Sequence, residues 1–516
     1  MTSIPFPKLV PETYRWHKSA THPQTVQRRA IGTEQWVGIK DENYKGQYDN
    51  FVNATLKVQR EQDTISLSLA SLKSAIAAAL VELRFEHPES AGTAIWDEQG
   101  PIVQYTPPEN DEEALAWAEA SIELWPTAQT GLGVRQEIGR RRKAPGSAFT
   151  GHAKSLTVHV VADVPADDTR LVSGASVDIL LHMNHIFWDG ISSRMLLGSL
   201  LRKVGEHANG KQEVKKFTWG DEIKNVSEPI LDASKADVSS LGEDFEKARG
   251  EFVQSLFDFA NSWALDLKVE VGAPATEFQA FTPAETSAIV QAVKSRLGPG
   301  YTISHLGQAA TALALLKLNP IPDNVSGSPP IIMPLPVNGR RYLKDEYSQS
   351  QYGACQAGAV VQLQDAKSFR VDDNDKSAVT AMLERISWIS KEQYDYWLSK
   401  PFQMAVNVSK DNFLASFLGS NPQEPNPKVV PIFISDGVND RFISKNITSS
   451  AKNETLMTVE NVAFFTDSYA PGLLVRMESW NGTTSFGVSY NDGTYTAEQA
   501  TTLLKTIMGY MLAFTQ

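Results

Sequence analysis

The apolar residues of this chain recur with two different periods, and segments of the two kinds alternate along its length. In the segment SLTVHVVA every second residue is apolar, which is the period of a half-buried strand. In other segments the apolar residues recur at intervals of three and four, as one face of a helix requires. Examples are Leu72, Ile76, Ala79, Leu80 and Leu83, and later Leu197, Leu200, Leu201 and Val204. This alternation favours an α+β fold, in which mixed β-sheets carry flanking helices.

The length of the chain, 516 residues, exceeds what one hydrophobic core usually supports. From about residue 205 to 271 the periodicity weakens and charge rises, for example in VGEHANGKQEVKKF, and a second set of helices and strands follows. We therefore expect an N-terminal domain over 1–215, a linker or crossover region over 216–275 and a C-terminal domain over 276–516. A long surface excursion within one domain is the alternative.

The net charge narrows the range of partners. There are 48 Lys and Arg against 60 Asp and Glu, a net charge of −12, which opposes binding to nucleic acid or to anionic lipid. The only cysteine, Cys355, excludes an intrachain disulfide framework and a multi-thiolate metal site. Neither a signal-peptide run nor an apolar stretch of membrane-spanning length occurs. We expect a cytoplasmic protein that acts on a small molecule without nucleic-acid or membrane partners.

The strongest chemical motif is the nonapeptide HMNHIFWDG, residues 182–190, where a strand gives way to an amphipathic helix. Its centre is His185, three residues, Asp189 and then Gly190. The same spacing occurs in HVVAD, His159 to Asp163, but inside an alternating strand with neither a glycine nor a helix after it. Because side chains at the junction of two elements are held firmly and can still reach a cleft, we interpret His185 as functional and His159 as structural.

Two other interpretations of the nonapeptide remain open. His182, His185 and Asp189 could be metal ligands, although no second cluster of His or Cys supports such a site. Alternatively, His185 is an ordinary core histidine and Asp189 caps the helix from Ile191.

Other catalytic motifs are absent. There is no Gly-x-Ser-x-Gly nucleophile elbow, no phosphate-binding glycine loop, no dinucleotide fingerprint and no HExxH zinc motif. Cys355 fits a small buried residue better than a nucleophile. A histidine base without a Ser or Cys nucleophile indicates direct transfer, in which the imidazole activates the hydroxyl or amine of the substrate itself.

The segment His185-Ile-Phe-Trp-Asp189-Gly190 resembles the HxxxD motif of the superfamily that contains chloramphenicol acetyltransferases, plant-type BAHD acyltransferases and peptide-synthetase condensation domains. PLPVNGRRYL, residues 334–343, resembles the family's strand with an Asn-x-Arg element. The layout, the length and the VPETYRW opening are most similar to fungal trichothecene 15-O-acetyltransferases. Two departures are Asn184 in place of the first of the two histidines of condensation domains, and the sequence SFGVS at 485–489 in place of the plant-type DFGWG element.

The resemblance implies two chloramphenicol-acetyltransferase-like domains with an active-site channel between them. In that arrangement His185 is the general base, Asp189 is turned away and paired with Arg340, and Gly190 permits a tight exit into the helix. The resemblance also implies acetyl-CoA as co-substrate, with no metal and no prosthetic group. Since two halves can form a complete site, we expect a monomer.

Several other residues are candidates for substrate contact. Trp188 Nε1–H or a backbone N–H is a candidate donor to the oxyanion. Ser435 and Gly437 follow a strand where related enzymes approach the pantetheine arm, although turn chemistry explains them equally well. His305, at a helix start, is a candidate for the acceptor side. The basic run from Arg140 to Lys143 could meet the phosphates of CoA, although a solvated surface is the simpler explanation.

The sequence thus predicts an O-acetyltransferase that moves acetyl from acetyl-CoA to a hydroxyl of a terpenoid secondary metabolite, specifically the 15-hydroxyl of a trichothecene. The alternative enzyme is a stand-alone condensation-type catalyst that forms an amide or ester from a carrier-protein-bound acyl group. A third possibility is a binding protein that has kept the fold without the activity.

Overall fold

The computed structural model describes residues 6–38, 48–59, 67–143, 154–208, 215–270, 272–349, 353–420, 426–449, 454–468 and 471–516. The helices within these ranges are α1 (Thr33–Val37), α2 (Leu69–Glu86), α3 (Asp111–Ala120), α4 (Gly131–Lys143), α5 (Gly190–His207), α6 (Ile230–Ala233), α7 (Glu243–Asp258), α8 (Pro283–Ala292), α9 (Ile303–Leu318), α10 (Asp345–Ser348), α11 (Lys376–Leu398), α12 (Gln403–Ser420) and α13 (Ala497–Ala513). The strands are β1 (His17–Lys18), β2 (Val26–Arg29), β3 (Asn50–Val58), β4 (Thr93–Asp97), β5 (Gly100–Tyr105), β6 (Ile122–Pro126), β7 (Leu156–Ala162), β8 (Ser176–Met183), β9 (Leu265–Asp266), β10 (Pro274–Ala280), β11 (Ile331–Asn338), β12 (Gln356–Leu363), β13 (Lys428–Val429), β14 (Ile432–Val438), β15 (Asn446–Ser449), β16 (Glu454–Thr466), β17 (Leu474–Trp480) and β18 (Thr483–Asn491).

The largest sheet has the strand order β15-β16-β3-β8-β7-β6. Its central strands β3 and β8 are buried along almost their whole length, because neighbouring elements cover both faces. Two of its strands, β15 and β16, come from the C-terminal part of the chain; β16 pairs with β3, and β15 pairs with β16. The predicted domain boundaries at 215 and 276 stay a prediction, and residues 446–449 and 454–466, which that prediction gave to the C-terminal domain, complete the N-terminal sheet.

A second sheet, of order β10-β18-β17-β14, and the hairpin of β11 and β12 organise the other half of the molecule. Helices α9, α11 and α13 pack on one another and cover these strands. The buried apolar residues fall into two large clusters, one in each half, so the molecule has two lobes. The expected fold of two lobes, each with a mixed sheet and flanking helices, is therefore confirmed. Within the described residues no helix is long and apolar enough to cross a bilayer.

Helix α5, which follows the nonapeptide, packs against α2 on one side and β15 on the other. Two of its glycines allow this close approach. A Cβ on Gly198 would lie 1.9 Å from the carbonyl oxygen of Phe442, and one on Gly205 would lie 2.5 Å from the carbonyl oxygen of Thr448. Since real contacts are never this short, residues 442–448 lie against α5 only because these side chains are missing. These contacts fix the middle and the end of α5 against the N-terminal sheet.

Candidate active site

The loop between β8 and α5 is short and firmly anchored. The Asn184 side chain accepts a hydrogen bond from the backbone N–H of Ile186 at 2.9 Å, and Asn184 also accepts one through its carbonyl from the N–H of Phe187 at 3.1 Å. The three apolar residues Ile186, Phe187 and Trp188 are 1%, 2% and 0% exposed and belong to the core of the N-terminal lobe. The loop that carries His185 is thus fixed by burial on one side.

His185 itself is half-buried, and its Nδ1 is inaccessible. No hydrogen bond of ordinary geometry reaches this Nδ1 from any described residue. Burial lowers the pKa of the imidazole and the charge of Arg476 lowers it further, while Asp189 and the carbonyls of residues 185 and 188 oppose the shift. The net direction is downward, so His185 is neutral at neutral pH and able to accept a proton.

The Asp189 carboxylate is fully engaged by two sets of donors. Its Oδ1 accepts from the backbone N–H groups of Ile191 and Ser192 at 2.9 and 2.7 Å, and so caps α5. Its Oδ2 accepts from Arg340 Nη1 at 2.8 Å and from the N–H of Cys355 at 2.9 Å. Burial alone would raise the pKa of this carboxyl, but Arg340 and the two sets of N–H groups hold it below its usual range. Asp189 is therefore a charged anchor with no lone pair left for a proton relay.

Arg340 reaches Asp189 from the second lobe. It lies on a short 3-10 turn, Gly339–Tyr342, which is capped by the Asn338 side chain accepting from the N–H of Arg340 at 3.1 Å. Its Nη2 donates to the carbonyl of Gly353 at 3.2 Å. The Asn-x-Arg element seen in the sequence thus consists of a capping residue and the arginine that this cap positions, and the expected ion pair is present.

The structure offers another reason for a glycine at position 190. Its backbone is not among the left-handed glycines, so conformational freedom is not what the position requires. A Cβ there would instead lie 3.1 Å from Arg194 Nη1, 3.5 Å from the Phe464 ring and 3.7 Å from Asp436 Oδ1. Only the distance to Arg194 is shorter than an ordinary contact, so the glycine relieves crowding at one buried guanidinium group.

The buried charges around Gly190 come mainly from the C-terminal half of the chain. Arg194 donates to Glu478 at 2.9 Å and lies 3.1 Å from Asp436, while Arg476 donates from Nη1 to both oxygens of Asp436 at 3.0 Å. The two guanidinium groups lie on the Phe464 ring, 4.4 and 4.5 Å from its centroid. Sequence reasoning missed this cluster. Its only signal is a pair of opposite charges, Arg476 and Glu478, two residues apart in an otherwise apolar strand.

Trp188 does not fit the predicted role of oxyanion donor. Its side chain is fully buried, and its Nε1–H is donated to Ser155 Oγ at 2.7 Å. Because an indole has a single N–H, the donor is already used. Its backbone carbonyl accepts from Asn50 Nδ2 at 2.8 Å, so Trp188 is a structural anchor of the loop.

Ser435 and Gly437 lie close to the motif, on either side of a β-bulge in β14 that leaves Asp436 as the extra residue. The Ser435 hydroxyl is 2.7 Å from the hydroxyl of Ser304, at the start of α9. Gly437 has a φ of +84°, a left-handed conformation that favours glycine. The bulge directs Asp436 towards Gly190, and a contact of Ser435 or Gly437 with the pantetheine arm stays a prediction.

His305 caps the first turn of α9. Its Nδ1 accepts from the N–H of Thr302 at 3.0 Å, and burial together with nearby Lys391 lowers its pKa to about 4. The imidazole is therefore neutral and occupied by a structural contact, and a place for it on the acceptor side stays a prediction.

A cleft of about 620 Å³ opens beside the Asp189–Arg340 pair. Its lining includes Ile191, in the first turn of α5, and Arg340. Besides Arg340 the lining carries the cations Lys235, Arg341 and Arg441, and none of the described lining residues is acidic. Arg140 and Arg141 of the basic run instead pair with Glu137 on the surface of α4, and residues 144–153 lie outside the described part.

Neither metal ligation nor a thiol nucleophile finds support in the arrangement. Within the described ranges no three His, Cys, Asp or Glu side chains are grouped as metal ligands, and His182 instead pairs with Asp49 at 2.8 Å. Burial raises the pKa of the Cys355 thiol to about 12, so the reactive thiolate does not form at neutral pH.

Comparison with known proteins gives a consistent result. A family model described as 15-O-acetyltransferase Tri3 matches residues 6–415. The chain is 41% identical over 514 residues to the trichothecene O-acetyltransferase TRI3 of Trichoderma arundinaceum, an alignment that covers 99% of this chain and 98% of that protein. It is 37% identical over 517 residues to the trichothecene 15-O-acetyltransferase TRI3 of Fusarium sporotrichioides, with 99% of each chain covered.

Solved structures agree with these relatives. The TRI3 trichothecene 15-O-acetyltransferase of Fusarium sporotrichioides superposes with a TM-score of 0.94 at 36% identity and covers 99% of this chain and 100% of its own. The first condensation domain of the CDA synthetase superposes with a TM-score of 0.60 at 12% identity, covering 95% and 96%. At that identity the second likeness shows a shared two-lobed fold and nothing about activity.

Proposed function

Since the chain belongs to the Tri3 family of 15-O-acetyltransferases, we propose that it transfers an acetyl group from acetyl-CoA to the 15-hydroxyl of a trichothecene, with His185 as general base. The chain is an acetyltransferase. The proposal concerns its acceptor, its donor and the residues that act.

The proposal rests on a difference between the surroundings of the His185 and Asp189 side chains. The Asp189 carboxylate is consumed by the cap of α5 and by Arg340, whereas His185 is neutral and only half-buried. One residue is therefore structural and the other is available for proton transfer. Neither a serine nor a thiolate nucleophile accompanies it.

The chemistry follows from that availability. His185 accepts the proton of the acceptor hydroxyl as its oxygen attacks the acetyl carbonyl, which forms a tetrahedral oxyanion. The intermediate collapses with cleavage of the C–S bond, and the imidazolium returns its proton to the departing thiolate. The products are the acetyl ester and free CoA thiol, and His185 is neutral again. Binding both substrates beside one rigid loop makes the encounter oriented.

The basic cleft beside Arg340 is the proposed site of the CoA phosphates. Its cations Lys235, Arg341 and Arg441 lie on three different segments; Lys235 also pairs with Asp345 at 3.0 Å, so Arg341 and Arg441 are the main candidates for phosphate contact. Guanidinium groups bind phosphate oxygens through charge-assisted hydrogen bonds. The cleft starts at the first turn of α5, so a donor bound there ends next to the nonapeptide.

The donor site is tested with Arg441→Ala and Arg341→Ala, with Arg140→Ala on the basic run as the matched control. We expect the KM for acetyl-CoA to rise about tenfold in each cleft variant and to stay unchanged in the control. Acetyl-pantetheine, which lacks the nucleotide, should have the same KM in all variants. Equal KM values for acetyl-CoA in the cleft variants and the wild type would remove the cleft from the proposal.

The acceptor is tested by thiol release from acetyl-CoA with pairs of trichothecenes that differ only in a free or absent 15-hydroxyl. We expect thiol release only with the compound that has the free 15-hydroxyl. NMR should show that the product is acetylated at that oxygen. Turnover of the compound that lacks the hydroxyl would contradict the regiochemistry.

The carrier-dependent condensation alternative is not favoured, because the family and the full-length relatives are acetyltransferases. The proposal includes a monomer in the cytoplasm that needs no metal or prosthetic group. One lobe supplies His185 and the other supplies Arg340, so a single chain contains both parts of the motif. Light scattering during size-exclusion chromatography tests whether the protein is a monomer. The rate of acetyl transfer after treatment with a chelator tests whether a metal is needed.

A further inference from the structure

We propose that Asn50 is a positioning residue of the acetyl transfer, whose side-chain amide holds the loop that carries His185. The orientation of this amide is set from the second lobe. The inference rests on the proposed role of His185 as base and names the residue that keeps the base in place. Asn50 is the first residue of β3, and nothing in the HxxxD motif points to it.

Asn50 holds the chain on both sides of His185. Its backbone lies opposite Met183, the last residue of β8, in the antiparallel pairing of β3 with β8. Its side-chain Nδ2 donates to the backbone carbonyl of Trp188 at 2.8 Å. Met183 lies two positions before His185 and Trp188 three positions after it. One residue of a central strand therefore spans the part of the loop that contains the proposed base.

The surroundings of Asn50 make this contact rigid. Asn50 is 0% exposed, and on its other side its backbone lies opposite Thr466 in the pairing of β3 with β16. The Trp188 indole is itself fixed by its hydrogen bond to Ser155 Oγ at 2.7 Å. Because the amide of Asn50 is fully buried, solvent does not replace its hydrogen bond when that bond is removed.

The direction of the hydrogen bonds that lead to Trp188 is set by Arg476, on β17 of the second lobe. A guanidinium group can only donate, and Arg476 Nη2 donates to Thr466 Oγ1 at 2.9 Å. The Thr466 hydroxyl has thus accepted one bond and donates its own hydrogen to Asn50 Oδ1, over a longer 3.5 Å. With Oδ1 turned to Thr466, the N–H of Asn50 faces the carbonyl of Trp188.

A displaced base slows the chemical step more than it weakens substrate binding. Proton transfer requires the imidazole within hydrogen-bond reach of the acceptor hydroxyl, and a misplacement of about 1 Å costs up to about 10²-fold in rate. Asn50 is fully buried, so neither substrate touches its side chain. Asn50→Ala should therefore lower the single-turnover rate of acetyl transfer by about 10-fold to 10²-fold, while the KM values for both substrates stay within about twofold.

The matched control is Asn53→Ala. Asn53 lies on the same strand but on its opposite face, and its Nδ2 donates to Asp178 Oδ1 at the same distance of 2.8 Å. It is also buried, with 6% exposure. This variant should lose comparable stability by urea unfolding and keep the wild-type single-turnover rate. A merely structural role of Asn50 predicts the same outcome for both asparagines.

Variants of Thr466 test what orients the Asn50 amide. Thr466→Val removes the hydroxyl that donates to Asn50 Oδ1 and should lower the single-turnover rate by about 3-fold to 10-fold. Thr466→Ser keeps a hydroxyl and should retain the wild-type rate. If Thr466 acts through Asn50, the double variant with Asn50→Ala and Thr466→Val should be no slower than Asn50→Ala alone.

A slower chemical step in Asn50→Ala, with unchanged KM values and a wild-type rate in Asn53→Ala, supports the inference. A wild-type rate in Asn50→Ala, an effect confined to KM, or an equal loss in Asn53→Ala overturns it. If Asn50→Ala does not fold, the Thr466 variants decide: a slower Thr466→Val beside an unchanged Thr466→Ser supports the inference, and equal rates overturn it. Failure of the proposed function looks different, because the wild type would then transfer no acetyl group or His185→Gln would keep the wild-type rate.

Discussion

Arg340 donates to Asp189 Oδ2 at 2.8 Å across the two lobes, while the other oxygen of the same carboxylate caps the helix that begins at Gly190. One side chain thus ties the start of α5 to the second lobe. The geometry of the His185 loop depends on this tie as much as on its own buried residues.

The first prediction concerns that pair. Asp189→Asn and Arg340→Met should each lower the free energy of unfolding by about 3 kcal/mol, because each leaves a buried charge without its partner. The double variant should lose clearly less than the sum, since no unpaired charge remains. Urea unfolding of the four proteins measures the coupling, and strictly additive losses would contradict it. Arg202→Ala, which breaks an exposed pair with Glu206 on α5, should cost less than about 0.5 kcal/mol.

The second prediction concerns Trp188. Trp188→Phe removes the hydrogen bond to Ser155 Oγ and should cost about 1–3 kcal/mol of stability, while kcat stays within about threefold of the wild type. Ser155→Ala should cost more stability, since it removes both this bond and the one that Ser155 Oγ donates to the carbonyl of Glu89 at 2.6 Å. A loss of about 10²-fold in kcat with unchanged stability would instead restore Trp188 as the oxyanion donor.

The third prediction concerns the packing of α5. Gly198→Ala should destabilise the protein by about 3 kcal/mol, because its Cβ would collide with the backbone carbonyl of Phe442. Gly250→Ala on α7 is the matched control, since nothing lies within 4 Å of its added Cβ. There the better helix propensity of alanine should stabilise by up to about 1 kcal/mol. Thermal unfolding of the two variants checks the sign, and equal effects would contradict the close approach.

Local signals in the sequence predict much of the fold. A threonine just before an apolar-periodic segment predicts an N-cap, and Thr282 and Thr496 do cap α8 and α13. An Asn-Gly pair between two alternating segments predicts a tight hairpin, which Asn481 and Gly482 form between β17 and β18 with φ values of 47° and 76°. These features succeed because they depend on residues only a few positions apart.

Sequence patterns fail to predict features that depend on contacts between segments far apart in the chain. Ser304, a hydroxyl residue just before the apolar face of α9, is the cap that the sequence predicts, yet Thr302 caps the helix and the Ser304 hydroxyl lies 2.7 Å from that of Ser435 on β14. The Asp189–Arg340 pair followed from family resemblance rather than from spacing. The pair of Arg476 and Asp436 joins two strands 40 residues apart and depends on a bulge that no sequence pattern marks.

The fourth prediction is the pH dependence of the wild type. Burial lowers the pKa of His185, so the base stays neutral through neutral pH and protonates only as pH falls below the ordinary imidazole value of about 6.5. The kcat/KM for acetyl transfer should therefore be flat near neutrality and decline on the acid side below that value. A midpoint above it would contradict the direction of the shift.

The most direct measurement is CoA thiol release from acetyl-CoA with and without a 15-hydroxylated trichothecene, in the wild type and in His185→Ala. Direct transfer predicts release only when the alcohol is present, no acetylated enzyme by mass spectrometry when it is absent, and a loss of about 10³-fold in His185→Ala with unchanged thermal stability. Release without the alcohol together with an acetylated enzyme, or a wild-type rate in His185→Ala, would contradict His185 as the base of a direct acetyl transfer.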